Sequence, residues 1–457
     1  MRRDAYATVV SKALFPFWET TLKRRATFRY GALLARSERA SLDELHALQM
    51  DKLRRLLEHA AEDVPFYRDR FRDAGFSPGD LRTLDELARL PILTREEAQV
   101  TVAARTSETP PSVAYRAVTG GTLGSALAFG YGADTEWWRK AAQLRAWGWA
   151  GYAVGDRVLY YVGDHHGLRA PPGERLRTAV ERALKREHYL SCMVRDEESL
   201  AQAATFLQRR RPAAIVCYPQ AGADLARYMV DTARPLDGIA VLCHGEKVYP
   251  RDRALMTKAF GAVFEMYAAR ETFMIAGECD RHAGLHIAME NVLVEVLVRD
   301  GPRTRPAAPG EPGDIVLTDL NNHAMPFIRY AIGDVARAPT LTRCDCGRTL
   351  PRLGEIEGRA VETLRGPAGR RISSTLFEQI LMNVIGEDVK KFQIEQRKDG
   401  GIILRIALAK SLPTSVFQRL ESECLRLVPG LPLTIERVPD LLPEPSGKRR
   451  VVVVDER

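Results

Sequence analysis

The sequence predicts an α/β fold with a large N-terminal domain and a small α+β domain at the C-terminus. Three observations lead to this prediction: short apolar strands alternate with helices between residues 135 and 267, a proline- and glycine-rich turn joins two strands within residues 293–318, and a boundary follows Glu357-Gly358-Arg359. Strands and helices that alternate at this spacing form βαβ units and a parallel sheet. We expect a helical N-terminal region at residues 1–100, a core at 101–359 and a small domain at 360–457.

The composition is that of a large globular chain with a mild excess of positive charge. Of 457 residues, 45% are hydrophobic, and 67 basic residues against 59 acidic ones give a net charge of +8. This charge suits anionic ligands such as nucleotides, and because no nucleic-acid-binding motif is present we do not expect DNA or RNA as a partner. Seven scattered cysteines indicate a reducing compartment. With no apolar run long enough for a transmembrane segment, the expected location is cytoplasmic.

The N-terminal region carries clear helix signals. Ser41 and Glu44 form a predicted capping box at the start of one helix, and Thr94 is a predicted N-cap of another. Earlier in the chain, a segment with Phe15, Phe17 and Trp18 precedes Arg24 and Arg25. Such a segment either packs on its own domain as a helix or lies on a membrane surface, and the sequence leaves both interpretations open.

The middle of the chain alternates between helices and buried strands. We predict helices at 135–149, 197–209, 221–232 and 251–260, and strands at 157–162, 213–218, 239–243 and 263–267. Ligands of a parallel sheet bind beyond the carboxyl ends of its strands. His244-Gly245-Glu246 and Ala268-Ala269-Arg270-Glu271 fall at such ends. The strands within 293–318 predict an antiparallel or barrel-like part.

The C-terminal hundred residues predict a domain of their own. Helices are expected at 375–384 and 415–427, and strands at 391–396 and 401–408. This length is typical of an independent domain.

A glycine-rich loop is the first candidate for ligand binding. The stretch Thr119-Gly120-Gly121-Thr122-Leu123-Gly124-Ser125 combines three glycines with three hydroxyl residues. Inward-facing backbone N–H groups and hydroxyls can bind phosphate oxygens. The spacing is not that of a Walker loop, since the lysine is absent. An ordinary turn is the alternative interpretation.

Three charged residues could complete a nucleotide site. A strand is predicted to end on Gly333 and Asp334, where Asp334 would hold sugar hydroxyls or cap a turn, and Glu271 would hold magnesium or lie on the surface. Lys448, within Ser446-Gly447-Lys448, would act as a mobile cation that stabilises a developing phosphate charge. Its alternative is a solvated lysine beside Arg449 and Arg450.

A group of soft ligands predicts structural zinc. Cys279 and His286 are seven residues apart, and Cys344 and Cys346 flank one residue. Four nitrogen and sulfur ligands suit a closed tetrahedral zinc site. Free buried thiols are the alternative, and His282 could replace His286 as the ligand.

The order of these motifs resembles the adenylate-forming superfamily and, within it, the phenylacetate–coenzyme A ligase family, especially its capsule-biosynthesis-like branch. The resemblance covers residues 40–457. It is carried by Val64-Pro65-Phe66-Tyr67, Thr119-Gly120-Gly121, His244-Gly245-Glu246, Tyr267-x3-Glu271, Glu278-Cys279, Gly284-Leu285-His286, Arg329-Tyr330-Ala331-Ile332-Gly333-Asp334, Cys344-Asp345-Cys346-Gly347-Arg348, Glu357-Gly358-Arg359 and Ser446-Gly447-Lys448.

The resemblance implies an adenylate-forming enzyme fold with a small mobile C-terminal domain, and a ligase that makes an acyl-adenylate from a carboxylic acid and ATP, with coenzyme A as the acyl acceptor. An amine acceptor, or a degenerate relative that binds nucleotide without turnover, are the alternatives. A homodimer is a further expectation by analogy.

The resemblance also implies roles for individual residues. The loop Thr119–Ser125 would hold the ATP phosphates, Gly245 and Glu246 would line the adenine pocket, and Tyr267 would stack near the adenine or the acyl carboxylate. Glu271 would bind magnesium, Asp334 the ribose, Arg359 the ribose or phosphate, and Lys448 the carboxylate and α-phosphate. His166 would gate the acyl pocket. Glu362 would lie near the pivot of the small domain.

This sequence departs from the family pattern at three of these motifs. Ser125-Ala126 stands in place of Lys-Pro, Tyr267-Ala268 in place of Tyr-Gly, and Val361-Glu362 in place of an acidic pair. The changed loop leaves Lys448 as the chief lysine of the first half-reaction.

Overall fold

A computed structural model of the chain describes residues 4–119, 127–163, 175–300, 303–359, 364–366, 371–372, 374–444 and 449–455. These residues form a mixed eight-stranded sheet, an antiparallel five-stranded sheet and a separate four-stranded sheet near the C-terminus, besides two small hairpins. The predicted α/β class, with a large N-terminal domain and a smaller C-terminal domain, is confirmed.

The elements follow one another in chain order. The helices are α1 (Ala5–Val9), α2 (Phe15–Phe17), α3 (Thr27–Ser37), α4 (Leu42–Asp63), α5 (Pro65–Asp73), α6 (Arg95–Val100), α7 (Ala133–Trp149), α8 (Arg175–Lys185), α9 (Glu197–Arg210), α10 (Pro219–Asp231), α11 (Pro250–Ala259), α12 (Ser374–Val384) and α13 (Thr414–Leu427). The strands are β1 (Tyr115–Val118), β2 (Ala128–Tyr131), β3 (Val158–Val162), β4 (Glu187–Ser191), β5 (Ala214–Cys217), β6 (Ala240–His244), β7 (Val263–Ala269), β8 (Phe273–Glu278), β9 (Leu285–Ile287), β10 (Val292–Asp300), β11 (Arg303–Pro306), β12 (Pro312–Asp319), β13 (Tyr330–Arg337), β14 (Arg352–Leu353), β15 (Ile356–Arg359), β16 (Leu364–Arg365), β17 (Arg371–Ile372), β18 (Val389–Gln396), β19 (Ile402–Leu408), β20 (Leu433–Arg437) and β21 (Val452–Val454).

The N-terminal region is helical, as predicted. The Ser41 hydroxyl accepts the Glu44 N–H at 3.2 Å, and the Glu44 carboxylate accepts the Ser41 N–H at 2.7 Å, so the capping box is confirmed. Thr94 caps α6 by accepting the Glu97 N–H at 3.2 Å. The π-helical segment Val10–Leu14 joins α1 to α2, and a second one, Trp18–Leu22, extends α2, so that residues 5–22 form one continuous N-terminal helix.

The eight-stranded sheet contains the predicted βαβ units. Strands β4, β3, β5, β6 and β7 are neighbours in that order and run parallel, whereas β8, β9 and β14 extend the sheet in antiparallel fashion. Apolar residues of α9, α10 and α11 cover one face, and those of α3 and α7 cover the other. A sheet covered on both faces has near-continuous apolar strands, which is why these strands were readable from the sequence. The sequence analysis missed β4, an edge strand that carries Glu187 and His188.

The antiparallel sheet has the order β11-β10-β12-β13-β15. It corrects one prediction, because β13 does not end at Gly333 and Asp334 but continues to Arg337. Gly333 has a φ of +85°, and the pairing of β12 with β13 shifts register between Asp314 and Val316. The strand therefore continues through an irregularity at which glycine accommodates the backbone.

The C-terminal sheet has the order β20-β19-β18-β21 and its own apolar core with α12 and α13. Tyr249 of the large domain joins this core, and its hydroxyl lies 3.0 Å from the Ser374 hydroxyl. The small domain thus packs against the start of α11, close to the carboxyl end of β6. Among the helices within the described ranges, none combines the length and the hydropathy needed to cross a bilayer.

Candidate active site

Three neighbouring strands deliver polar residues to the carboxyl edge of the parallel sheet. Gln220 follows β5, Glu246 follows β6 and Glu271 follows β7. Gly245 has a φ of +80°, a conformation that glycine adopts without strain, and it turns the chain directly after β6. The edge at which open α/β sheets bind ligands therefore carries an amide and two carboxylates.

Tyr267 and Asp334 connect the parallel sheet to the antiparallel sheet. The Tyr267 hydroxyl donates to Oδ2 of Asp334 at 2.8 Å. Asp334 also pairs with Arg359 in the ladder between β13 and β15. The structure thus brings Tyr267, which was predicted to stack near the adenine or the acyl carboxylate, into contact with Asp334, which was predicted to bind the ribose. The Arg359 side chain lies outside the described part of the chain, although its backbone is included.

Glu271 is buried among groups that orient its carboxylate. The Tyr330 hydroxyl donates to its Oε1 at 3.1 Å, and the Arg95 guanidinium lies 3.4 Å from the same oxygen. Burial, together with the neighbouring Glu271 charge, raises the pKa of Tyr330, so this phenol keeps its proton. Arg139 donates to the Glu271 backbone carbonyl. Oε2 accepts no hydrogen bond from a described residue, which leaves it for a further ligand.

Two arginines connect Glu271 to the base of the glycine-rich loop. Arg95 donates to the Thr119 hydroxyl at 2.6 Å, and Arg270 donates to the Val118 carbonyl at 2.5 Å. Thr119 also bonds to Leu127, the residue before β2: its N–H donates to the Leu127 carbonyl at 2.9 Å, and its hydroxyl accepts the Leu127 N–H at 3.1 Å. The start of the loop is therefore anchored beside Glu271.

Glu246 links the two domains. Its Oε2 accepts the Gln220 N–H at 3.2 Å, and its Oε1 accepts the backbone N–H of Arg449, from the small domain, at 2.9 Å. The Arg449 guanidinium donates to the Gln220 side chain, whose own amide donates to Asp252 at 2.8 Å. Within the described residues, Nε and Nη1 of Arg449 are buried and have no hydrogen-bond partner.

Several predicted site residues lie outside the described residues. They are Gly120, Gly121, Thr122, Gly124 and Ser125 of the glycine-rich loop, His166, Lys448 and the predicted pivot residue Glu362. Their roles stay predictions.

Sequence reasoning missed four residues of this region: Arg95, Arg270, Tyr330 and Gln220. Each acts through a contact with a residue far away in the chain, and a single sequence gives no signal for such contacts. The position of Tyr330, four residues before Asp334, was the one local hint.

The four predicted zinc ligands follow β8 in the sequence and lie close together in the structure. The ligand atoms of Cys279, His286, Cys344 and Cys346 all lie within 4.8 Å of one another. Nδ1 of His286 lies 2.9 Å from the Leu350 carbonyl, which leaves Nε2 facing Cys346 Sγ at 3.3 Å. This arrangement suits metal binding through Nε2 while the other ring nitrogen donates to a carbonyl.

The strand pairing explains how these ligands meet. Cys279 follows β8, His286 lies in β9, and the loop with both remaining cysteines leads into β14, whose Arg352 pairs with His286. Gly347, at a φ of +80°, closes the turn by donating its N–H to the Cys344 carbonyl at 2.9 Å. His282, the alternative ligand, lies elsewhere, with Nδ1 3.1 Å from Glu278.

Known proteins resemble this chain over most of its length, although no family model matches the sequence. It is 26% identical over 366 residues to phenylacetate-coenzyme A ligase of Thermus thermophilus, with 78% of this chain and 79% of the relative covered. The phenylacetate-coenzyme A ligase of Escherichia coli is 28% identical over 382 residues, with 75% and 78% covered.

A solved structure shares the fold. The 2-hydroxyisobutyryl-CoA ligase, in its postadenylation state with R3-HIB-AMP, matches with a TM-score of 0.75 at 21% sequence identity, and the match covers 92% of each chain.

Proposed function

We propose that this chain, a homologue of phenylacetate–coenzyme A ligases with the fold of an adenylate-forming CoA ligase, activates a carboxylic acid with ATP and passes the acyl group to coenzyme A. In the first step a carboxylate oxygen attacks the α-phosphorus, and pyrophosphate leaves. In the second step the thiol sulfur attacks the acyl carbon, AMP leaves, and the thiol proton is released. Neither step needs a protein nucleophile, so the enzyme must mainly position phosphates and stabilise charge.

One observation carries the proposal. Glu271 and the base of the glycine-rich loop share Arg95, which lies 3.4 Å from the carboxylate and donates to Thr119 at 2.6 Å. This contact supports the proposal, because it would hold a carboxylate for a metal ion beside the start of a loop for phosphates. The separation of Glu271 from Thr119 by about 150 residues of chain makes this juxtaposition a property of the fold.

Magnesium fits the group at Glu271. The ion prefers oxygen ligands and is commonly bound by one or two carboxylates together with substrate phosphates. Glu271 offers Oε2, which accepts no hydrogen bond from a described residue. The ion, when bound, neutralises phosphate charge, while Tyr330 and Arg95 hold the carboxylate in place.

The nucleoside would be bound by residues that follow β6 and by residues within β13. Gly245 and Glu246 would line the adenine pocket, and Asp334 would accept hydrogen bonds from the ribose hydroxyls while Tyr267 holds its second oxygen at 2.8 Å. Arg359, the ladder partner of Asp334, would support the ribose or the phosphate.

The small domain would supply the cation for the first step. Arg449 contacts Glu246 through its backbone and Gln220 through its guanidinium. These contacts support a closed arrangement in which the residue before it, Lys448, contacts the carboxylate and the α-phosphate. His166 would gate the acyl pocket.

Pyrophosphate release tests the proposal directly. The purified protein is incubated with ATP, magnesium and a panel of carboxylic acids, with coenzyme A, with amines or without an acceptor. We expect acid-dependent pyrophosphate release and a thioester product with coenzyme A. An amide product would mean that the acyl acceptor is an amine and not coenzyme A. If no acid stimulated pyrophosphate release, the proposed ligase activity would be refuted. Lys448→Ala should abolish adenylate formation while ATP binding persists.

We also propose that Cys279, His286, Cys344 and Cys346 hold a structural zinc ion. The donor set supports this: three thiols and one imidazole within 4.8 Å of one another provide a closed four-ligand site without an open position for substrate. The ion would connect the end of β8 and the strand β9 to the loop before β14. Metal analysis of the purified chain should find about one zinc per chain.

A further inference from the structure

The N-terminal helix of residues 5–22 has one face buried in the large domain and another face left open. Val10 and Phe15 are buried and pack with Val154. On the open side, large apolar side chains are 51–57% exposed, namely Val9, Leu14, Phe17 and Leu22. A helix that served only to pack on its own domain would carry polar residues on its outer face. Packing therefore accounts for one face of this helix and leaves the other unexplained.

The C-terminal half of α8 lies beside this helix and carries exposed apolar side chains of its own. The Tyr6 hydroxyl donates to the Leu184 carbonyl at 2.7 Å, and the Lys185 ammonium lies 5.4 Å from the centre of the Phe15 ring. Leu184 and Val180, one turn apart on α8, are 47% and 51% exposed. We call the six exposed side chains the N-terminal apolar surface: Val9, Leu14, Phe17, Leu22, Val180 and Leu184.

Basic residues outnumber acidic ones in the two segments that carry the N-terminal apolar surface. Residues 4–25 contain four basic and two acidic residues, and α8 contains four basic and one acidic residue. The two acids of the first segment are engaged in ion pairs, Asp4 with Arg186 at 2.6 Å and Glu19 with Arg25 at 3.0 Å. Lys12 on the helix and Arg24 after its end are both exposed. The surface thus combines apolar side chains with an excess of positive charge.

We propose that the N-terminal apolar surface docks the protein on the face of an anionic lipid bilayer. An amphipathic helix with phenylalanine and leucine on one side and basic residues beside them lies in the plane of the membrane interface, and its binding gains from both apolar burial and attraction to anionic lipid. The inference is independent of the ligase activity.

A second copy of the chain is a poorer occupant. A symmetric dimer would place this surface against itself, so that the cations of both copies would face one another. Like charges brought together across an interface oppose association. Anionic lipid headgroups complement the same cations.

Vesicle cosedimentation tests the proposal with the full chain. Vesicles of phosphatidylglycerol and phosphatidylcholine are compared with vesicles of phosphatidylcholine alone, at low and at high salt. We expect binding to the anionic vesicles that weakens as salt rises. Equal binding to both kinds of vesicle, or binding to neither, would overturn the proposal.

Two sets of variants separate the apolar from the charged contribution. Phe17→Ser combined with Leu22→Ser should lower the affinity for anionic vesicles about tenfold, because apolar side chains no longer enter the interface. Lys12→Glu combined with Arg24→Glu should lower it at least as much and remove most of the salt dependence. Val100→Ser is the matched control, since Val100 is 85% exposed and lies on α6, outside the surface.

Light scattering without lipid distinguishes the second-copy alternative. A monomer that binds anionic vesicles supports the proposal. If the wild type is a dimer and the variant with Phe17→Ser and Leu22→Ser is a monomer, the surface serves self-association and the lipid-docking proposal is overturned. The thermal unfolding midpoint is followed for every variant, so that only folded protein is compared.

Discussion

Arg449 of the small domain donates its backbone N–H to Oε1 of Glu246 in the large domain at 2.9 Å. Its guanidinium donates to Gln220, and Nε and Nη1 remain without partners within the described residues. Arg449 is the residue after Lys448, so a contact with Glu246 restrains the chain directly beside the proposed catalytic lysine. The domain contact and the first half-reaction are thereby linked.

Replacing the Arg449 side chain should slow adenylation more than thioester formation. Loss of a buried hydrogen bond from a charged group costs about 1.5–3 kcal/mol, so Arg449→Ala should reduce ATP–pyrophosphate exchange roughly tenfold to hundredfold. Thioester formation from added acyl-adenylate should change little, because that step does not need this contact. Arg450→Ala is the control, since Arg450 pairs with Glu444 within the small domain. Equal losses in both steps would contradict the assignment.

Glu271→Gln should slow adenylation roughly hundredfold, because the neutral amide binds magnesium poorly and supplies less charge near the phosphates. The magnesium concentration for half-maximal rate should rise in the variant. Pyrophosphate exchange measured across a magnesium titration checks both effects. Glu108→Gln, at an exposed ion pair with Arg68, serves as the control. If the variant needed the same magnesium concentration as the wild type, Glu271 would not be a magnesium ligand.

Cys346→Ser should release the proposed zinc and lower the unfolding midpoint. A serine hydroxyl is a weak zinc ligand, so the four-ligand site loses one member and with it the connection between β9 and the loop before β14. Metal content and thermal unfolding are measured together. Cys424→Ser, a buried cysteine of the small domain, should keep the metal. Identical metal content in the two variants would show that these four residues do not bind zinc.

The stability of the chain should depend on pH through Glu378 at the domain contact. Burial, followed by the nearby Asp252 carboxylate, raises the pKa of Glu378 to about 7, and its Oε2 has no hydrogen-bond partner among the described residues. Arg251 donates its N–H to Oε1 at 3.3 Å, and its charge and that of Lys247 act in the opposite direction. The folded protein therefore keeps a proton that the unfolded chain releases.

The unfolding free energy should consequently fall as the pH rises from about 4.5 to about 7 and then level off, because the folded state binds more protons in this interval. The fall attributable to Glu378 is at most about 3 kcal/mol. Denaturant titrations at several pH values measure it. Glu378→Gln should remove this part of the slope, whereas Glu421→Gln, on the surface of α13, should preserve it. If the unfolding free energy of Glu378→Gln fell with pH as steeply as that of the wild type, Glu378 would not be the source of the pH dependence.

The sequence by itself determined the local elements and the order of the motifs. Ser41 and Glu44 are three residues apart, so their capping box is readable from spacing, and the apolar strands of the parallel sheet are readable because both faces are buried. The positions of Glu246 and Glu271 beyond strand ends followed from the βαβ pattern alone. The cluster of three cysteines and His286 was predicted from residue type, since thiols and imidazole together are typical metal ligands.

Only the tertiary structure decided which distant residues meet. Arg95 contacts Glu271 across 176 positions of chain, and Arg449 contacts Glu246 across 203. Gly333 and Asp334 lie inside β13 because the strand continues to Arg337 through an irregularity in its pairing with β12, and Asp334 pairs with Arg359 of β15. Local propensity reports on neighbours in the chain, whereas these contacts depend on how whole elements pack. The open face of the N-terminal helix is of the same kind: its apolar side chains are visible in the sequence, and only packing shows which of them stay exposed.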